Sequence, residues 1–238
     1  MKRILPIISL VLIWPMLAGA ATFGGATIGQ ATIGGTNVAA EEANVTNGLV
    51  GWWKFDDGSG TTAIDSTGNG YTGTLNGTTG WTSGHIGPYA ISYPGISGSG
   101  ISISPTITTG TTFTYAAWIY IIPGGASYQN LFAYGSSVGF WIIGGKLSFY
   151  YGTDHLNNTS ITSNAWHHIA VVDNAGAVTF YLDGSADGTA ASGPSFVANG
   201  MGADYGNSGE YFEGYQDDVR IYNRALTTNE ITTIYNYR

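Results

Sequence analysis

Gly51-Trp52-Trp53-Lys54-Phe55-Asp56-Asp57-Gly58 near the start of the body and Phe212-Glu213-Gly214-Tyr215-Gln216-Asp217-Asp218-Val219-Arg220-Ile221-Tyr222 near its end decide the fold. Each sets a strand-like aromatic run beside two adjacent carboxylates. Only 9% of the residues are charged. Two Asp-Asp doublets flanked by large apolar side chains therefore predict that the first and last strands of the body meet, around a hard cation.

The rest of the composition points to an all-β chain. Gly (37) and Tyr (16) are abundant, Thr and Ser are frequent, and Lys and Glu are scarce; aromatic and β-branched side chains fit a pleated surface better than a helix. At 238 residues and 43% hydrophobic content the chain can bury one large core. A formal charge of −8 with seven Lys and Arg argues against nucleic acid, which needs clustered cations. Without cysteine there is no disulfide framework, cysteine-ligated zinc site or thiol nucleophile.

Residues 1–20 have the form of a secretory signal: Lys2 and Arg3, an apolar run from Ile4 to Leu17, then Ala18-Gly19-Ala20 for cleavage. That run contains Pro6 and Pro15 and falls short of the ~20 residues a spanning helix needs. The mature chain is expected to be secreted, extracellular or at the cell surface, with no membrane span. Residues 21–47 form an arm that opens with a five-residue period, Ala21-Thr22-Phe23-Gly24-Gly25, Ala26-Thr27-Ile28-Gly29-Gln30 and Ala31-Thr32-Ile33-Gly34-Gly35. An odd period sends Phe23, Ile28 and Ile33 to alternating faces of an extended strand, so the arm builds no one-sided core. It reads as a Gly-rich linker, or as a β-prone segment that adds to a sheet edge of a neighbouring copy and makes a homo-polymer through residues 21–38.

Residues 48–238 carry short strands separated by Gly, Asn and Pro turns. Strands are predicted at Thr112 to Ile122, Phe140 to Ile143, Leu147 to Tyr151, Trp166 to Asp173 and Val178 to Leu182, with tight turns at Asp173-Asn174-Ala175-Gly176 and Asp183-Gly184. One helix is expected near the end, where Thr227 and Glu230 have capping-box spacing and Ile231 and Ile234 share a face. The predicted fold is an all-β, two-sheet antiparallel jelly-roll sandwich with one short C-terminal helix.

Six ordered blocks resemble the laminin-G-like, concanavalin A-like jelly-roll family: residues 51–60, Asp65-Ser66-Thr67-Gly68-Asn69-Gly70-Tyr71-Thr72-Gly73, Phe113-Thr114-Tyr115-Ala116-Ala117-Trp118, Trp166-His167-His168-Ile169-Ala170, Tyr181-Leu182-Asp183-Gly184, and Asp217 to Leu226. The resemblance implies two curved antiparallel sheets, an extracellular location, frequent calcium and binding or adhesive roles, with no common ligand. Gln216 stands where it leads one to expect an aliphatic residue.

Calcium takes six to eight oxygens from carboxylates, amides and exposed carbonyls. The Asp65–Gly70 loop offers such oxygens, and the resemblance places it beside both doublets. The expected structural calcium ligands are Asp56, Asp57, Asp65, Asn69, Gly70, Asp217 and Asp218. Strand alternation should let only one Asp of each doublet face the ion. The competing reading is turn chemistry, with Asx-turns at Asp65 and Asn69.

Enzymatic chemistry is not expected. His167 and His168 are adjacent on a strand and point to opposite faces, so they do not share a metal. Retaining glycoside hydrolysis needs two carboxylates about 5–5.5 Å apart, which the related glucanases place on one strand as Glu-x-Asp-x-x-Glu. The glutamates here, Glu41, Glu42, Glu210, Glu213 and Glu230, form no such stretch. Glycan binding asks for aromatic faces with amide or carboxylate neighbours. Tyr128, Trp141, Tyr151, Asp154, His155 and Asn157 supply those types, and the competing reading puts Trp141 and half of the tyrosines in the core. The chain reads as a secreted, non-enzymatic binding module for glycans or extracellular proteins; the alternative is a structural subunit of a filament or surface layer, assembled through its arm.

Overall fold

Alternation of side chains turns this chain into two facing sheets. In Thr112–Ile121, Phe113, Tyr115, Ala117, Ile119 and Ile121 enter the main core while Ala116, Trp118 and Tyr120 stand on the opposite face, following the two-residue period of a strand. The structure, a computed structural model, describes residues 22–23, 26–27, 32–33, 36–37, 45–134, 138–191, 195–203 and 210–237. The signal segment 1–20 lies outside the described residues.

Two units divide the chain, Met1–Glu41 and Glu42–Arg238. In the first, β1 (Thr22–Phe23) pairs with β2 (Ala26–Thr27) and β3 (Thr32–Ile33) with β4 (Thr36–Asn37), both antiparallel. The second holds β5 (Leu49–Trp53), β6 (Thr62–Ala63), β7 (Thr72–Asn76), β8 (Gly80–Ser83), β9 (Tyr89–Pro94), β10 (Gly100–Thr108), β11 (Thr112–Ile121), β12 (Tyr128–Tyr134) and β13 (Val138–Ile143). It continues with β14 (Lys146–Tyr150), β15 (Asp154–Leu156), β16 (Trp166–Asn174), β17 (Ala177–Leu182), β18 (Ser185–Ala191), β19 (Val197–Met201), β20 (Glu213–Tyr222) and helix α1 (Thr228–Asn236).

One sheet runs β18-β17-β16-β11-β20-β9-β8, with β5 also on β20; the other runs β15-β14-β13-β12-β19-β10-β7-β6. This is the expected antiparallel jelly-roll sandwich. Between the sheets lie Phe113, Tyr115, Phe132, Phe140, Phe149 and Phe196, fully buried, with Tyr115 stacked on Phe140 at 4.3 Å and 7°. Gln216 also points inward. It is buried, and its Nε2 donates to Leu131 O at 3.2 Å, tying the sheets together where β12 bulges. It does not face solvent.

The turns follow their sequences. Ala175 and Gly176, with positive φ, close the β16–β17 hairpin, and Gly176 N–H donates to Asp173 Oδ1. Asp183 and Gly184 close β17–β18 in the same way. Thr227 caps α1 through its side chain and Glu230 completes the capping box. Ile231 and Ile234 then bury against Ala116, Ala170, Tyr181 and Tyr222 on the outer face of the first sheet. Val45 joins this cluster, so the body begins a few residues before 48.

Candidate functional site

The two opening segments are neighbours. β5 pairs antiparallel with β20, Trp52 opposite Arg220 and Trp53 opposite Val219. The free edge of β5 is then covered by the Asp65–Asn69 loop. Asp65 Oδ1 accepts the Trp52 N–H at 3.1 Å, Ser66 N–H donates to Trp52 O at 2.7 Å, and Asn69 Nδ2 donates to Val50 O at 2.8 Å. The loop holds itself through Thr67 N–H and Oγ1 and the Tyr71 N–H, all donating to Asp65. Gly68 and Gly70, both at positive φ, let the backbone make that turn.

The predicted calcium ligands are not brought to one point. Among the described residues no three His, Asp or Glu side chains form one cluster. Asp65 accepts only protein donors, and Asn69 turns an N–H rather than an oxygen toward β5. Asp217 Oδ2 accepts the N–H groups of His85 and Ile86, both at 2.8 Å, and its Oδ1 accepts Asp218 N–H. Asp218 accepts the Trp52 indole N–H at 2.5 Å and pairs with Arg220 at 2.9 Å. Asp57 accepts Ile64 N–H, and exposed Asp56 abuts Gly87. Asp57, Asp65, Asp217 and Asp218 thus accept protein donors where the chain ends meet.

The doublet Asp217-Asp218 also departs from alternation. Asp218 has φ +48° at a register shift between β20 and β11, so two residues of β20 oppose one of β11. Both carboxylates then stay on the outer face, where Trp118, Trp52 and Arg220 lie.

The six predicted glycan contacts also part company. Trp141 is buried, but outside the inter-sheet core: it lies opposite Asn130 and Ser148, touches Tyr150, and donates its indole N–H to Glu210 at 3.0 Å. Asp154 accepts Ser148 O–H on that face, and Tyr128 is exposed at its rim. Tyr151 stacks on His155 at 4.4 Å. Asn157 is a structural residue, buried, with its amide bonded to Leu147 N–H, Thr159 O and Asp187. Burial takes Trp141 and Asn157 away from a ligand.

The outer face of the first sheet holds a feature the sequence reading passed over. Antiparallel register lines up Tyr120 with Trp166 and Tyr215, and Trp118 with His168 and Asp217. Tyr120, Trp166 and Tyr215 are half-buried and mutually packed, with ring centroids 5.1 to 6.1 Å apart. Behind them His85 stacks on Trp166 and packs tilted against Trp118, and Trp118 stacks on Tyr235 of α1. The helix covers one end of this face and not the aromatic trio, which stays partly exposed. The available signal was aromatic spacing two apart on both faces of Thr112 to Ile122.

Between these ends, burial sets the ionisation. It pushes Asp217 up to about 7 against the pull of Ile86 and His85 N–H, with Asp218 adding to the rise. Burial, then Arg220 and His85, lowers His168 to about 3; its two ring nitrogens find no partner among the described residues. His167 instead bridges Asp183 and Thr162. A separate pocket of about 220 Å³ lies between β5 and α1, lined by Val45, Leu49, Trp52, Arg220, Ile234 and Tyr237.

The sandwich with a capping helix defines a lectin-like β module. The profile of the concanavalin A-like lectin/glucanases superfamily matches residues 95–232, and the chain belongs to that family. Domain 4 of AbnA, a GH43 extracellular arabinanase from Geobacillus stearothermophilus in complex with arabinotriose, is similar over 79% of this chain and 98% of its own, with 21% identity and TM-score 0.66. The binding domain of Paraclostridial Mosquitocidal Protein 1 covers 81% of this chain (17% identity, TM-score 0.63). The botulinum neurotoxin serotype D ligand binding domain in complex with N-acetylneuraminic acid covers 82% (13%, 0.63). This chain spans 52% of each toxin chain.

Proposed function

We propose that the chain is a secreted, non-enzymatic glycan-binding module whose sugar stacks on Tyr120, Trp166 and Tyr215. The observation that carries the reading is this partly exposed aromatic trio on the outer face of a lectin-like sandwich. Aromatic faces take the C–H faces of sugars, and the two tyrosine hydroxyls can reach ring oxygens and hydroxyls. The relatives in complex with arabinotriose, a neutral sugar, and N-acetylneuraminic acid, an acidic one, support glycans in general as the class of ligand. No helix among the described residues is long and apolar enough to cross a membrane. A glycan array probed with the folded chain is expected to give selective spots that Trp166→Ala erases; signal unchanged in the variant would remove the trio from the reading.

Of the carboxylates expected to hold calcium, Asp56 is the one left open for an ion, being exposed and free of protein hydrogen bonds among the described residues. An exposed site binds weakly. Chelation is therefore expected to lower the melting temperature by at most about 2 °C. A fall of about 10 °C would mean that an ion, rather than protein donors, organises Asp65 and Asp217-Asp218.

Assembly by strand addition of the arm has no described feature in its favour. Along the edge strand β18, Asp187 O accepts Asn158 N–H and Ala191 O accepts the Tyr151 hydroxyl. Together with the covered edge of β5, this blunts two places where another chain would pair.

A further inference from the structure

We infer that the sugar held on the Tyr120, Trp166 and Tyr215 surface is uncharged, and that glycans bearing carboxylate or sulfate groups are rejected. The inference rests on the glycan-binding reading above and adds the class of sugar. An anionic sugar needs a guanidinium, an ammonium or a set of open N–H groups to replace the water its charge gives up.

Among the described residues the cations are Lys54, Lys146, Arg220 and Arg224, and each already has a protein partner. Lys54 lies over the Trp52 ring at 4.3 Å. Lys146 donates to Asn158 O at 2.8 Å. Arg224 pairs with Glu230 at 2.7 Å. Arg220 shares the outer face with the trio, but it is 3% exposed, pairs with Asp218 and is closed in by the Trp52 and Tyr237 rings.

Open N–H groups are also taken. The adjacent N–H groups of His85 and Ile86 form the kind of cradle that holds anions, and Asp217 already fills it. His85 itself is stacked against Trp166, so the carboxylate sits one residue behind the platform. The chain's −8 charge adds a repulsive field for any approaching anion. What the surface offers is ring faces and two phenolic hydroxyls, which suit neutral pyranose or furanose rings.

The test uses pairs of saccharides that differ in charge: polygalacturonate against its methyl ester, sialyllactose against lactose, and sulfated against desulfated galactans. Binding is measured at pH 8. In each pair that binds, the neutral member is expected to bind at least about tenfold tighter, with affinity nearly independent of salt and lost in Trp166→Ala. Preference for the acidic members, weakening as salt rises, would overturn the inference and leave the glycan-binding reading standing. Binding to no member of any pair would overturn both.

Discussion

Asp65 shows how one side chain can be read twice from the same sequence. Its neighbours Thr67, Asn69 and Gly70 give it the look of a cation loop, and the same residue types make an Asx-turn. In the fold Asp65 is buried and accepts Trp52, Thr67 and Tyr71 donors, the pattern of the turn reading. Asp65→Ala leaves the Trp52 and Tyr71 N–H groups without that acceptor. It is expected to cost about 2–4 kcal/mol in urea unfolding, whereas a change below about 0.5 kcal/mol would show the loop to be a surface ornament. Which donors would reach Asp65 was not legible, because they come from a strand and a loop that only folding brings together.

His168 and Asp217 give a second prediction at this scale. His168 drops from 6.5 to about 3 on folding, so the unfolded chain takes up a proton first and its stability contribution is lost as pH falls through that window. Asp217 rises from 3.8 to about 7, so the folded chain holds a proton longer and its contribution is lost as pH rises toward 7. Between about 4 and 6.5 the two slopes oppose one another. Relative to the unmutated chain, His168→Phe should lose stability as pH rises from 4 to 7, and Asp217→Asn should lose it as pH falls below 6.5. Thermal melts across pH read this directly, and parallel profiles for all three proteins would contradict it.

Among the elements, strands and turns were the most legible. The expected strand from Thr112 to Ile122 corresponds to β11, both predicted tight turns close hairpins, and the capping box of Thr227 and Glu230 opens α1. These rest on local rules of periodicity and turn chemistry, which the residues themselves carry. The bulge at Asp218 broke the expected alternation, since sequence does not mark where a long strand must bend to serve both β9 and β5. The same long strand explains why the aromatic trio was missed. Tyr120, Trp166 and Tyr215 are far apart in sequence, and only the order β16-β11-β20 makes them one surface.

At the scale of the whole molecule, the two aromatic and acidic segments close the jelly roll with protein contacts. The sheet that they complete carries a helix at one end of its outer face and a half-buried aromatic trio at the other. That aromatic end is the proposed ligand surface. Isothermal titration with a glycan found on the array should compare the unmutated chain with Trp166→Ala, Tyr215→Ala and Trp141→Phe. The first two variants are expected to lose at least about tenfold in affinity, about 1.4 kcal/mol, while Trp141→Phe keeps it. Full affinity in Trp166→Ala and Tyr215→Ala, with loss in Trp141→Phe, would place the site on the opposite sheet and contradict the account.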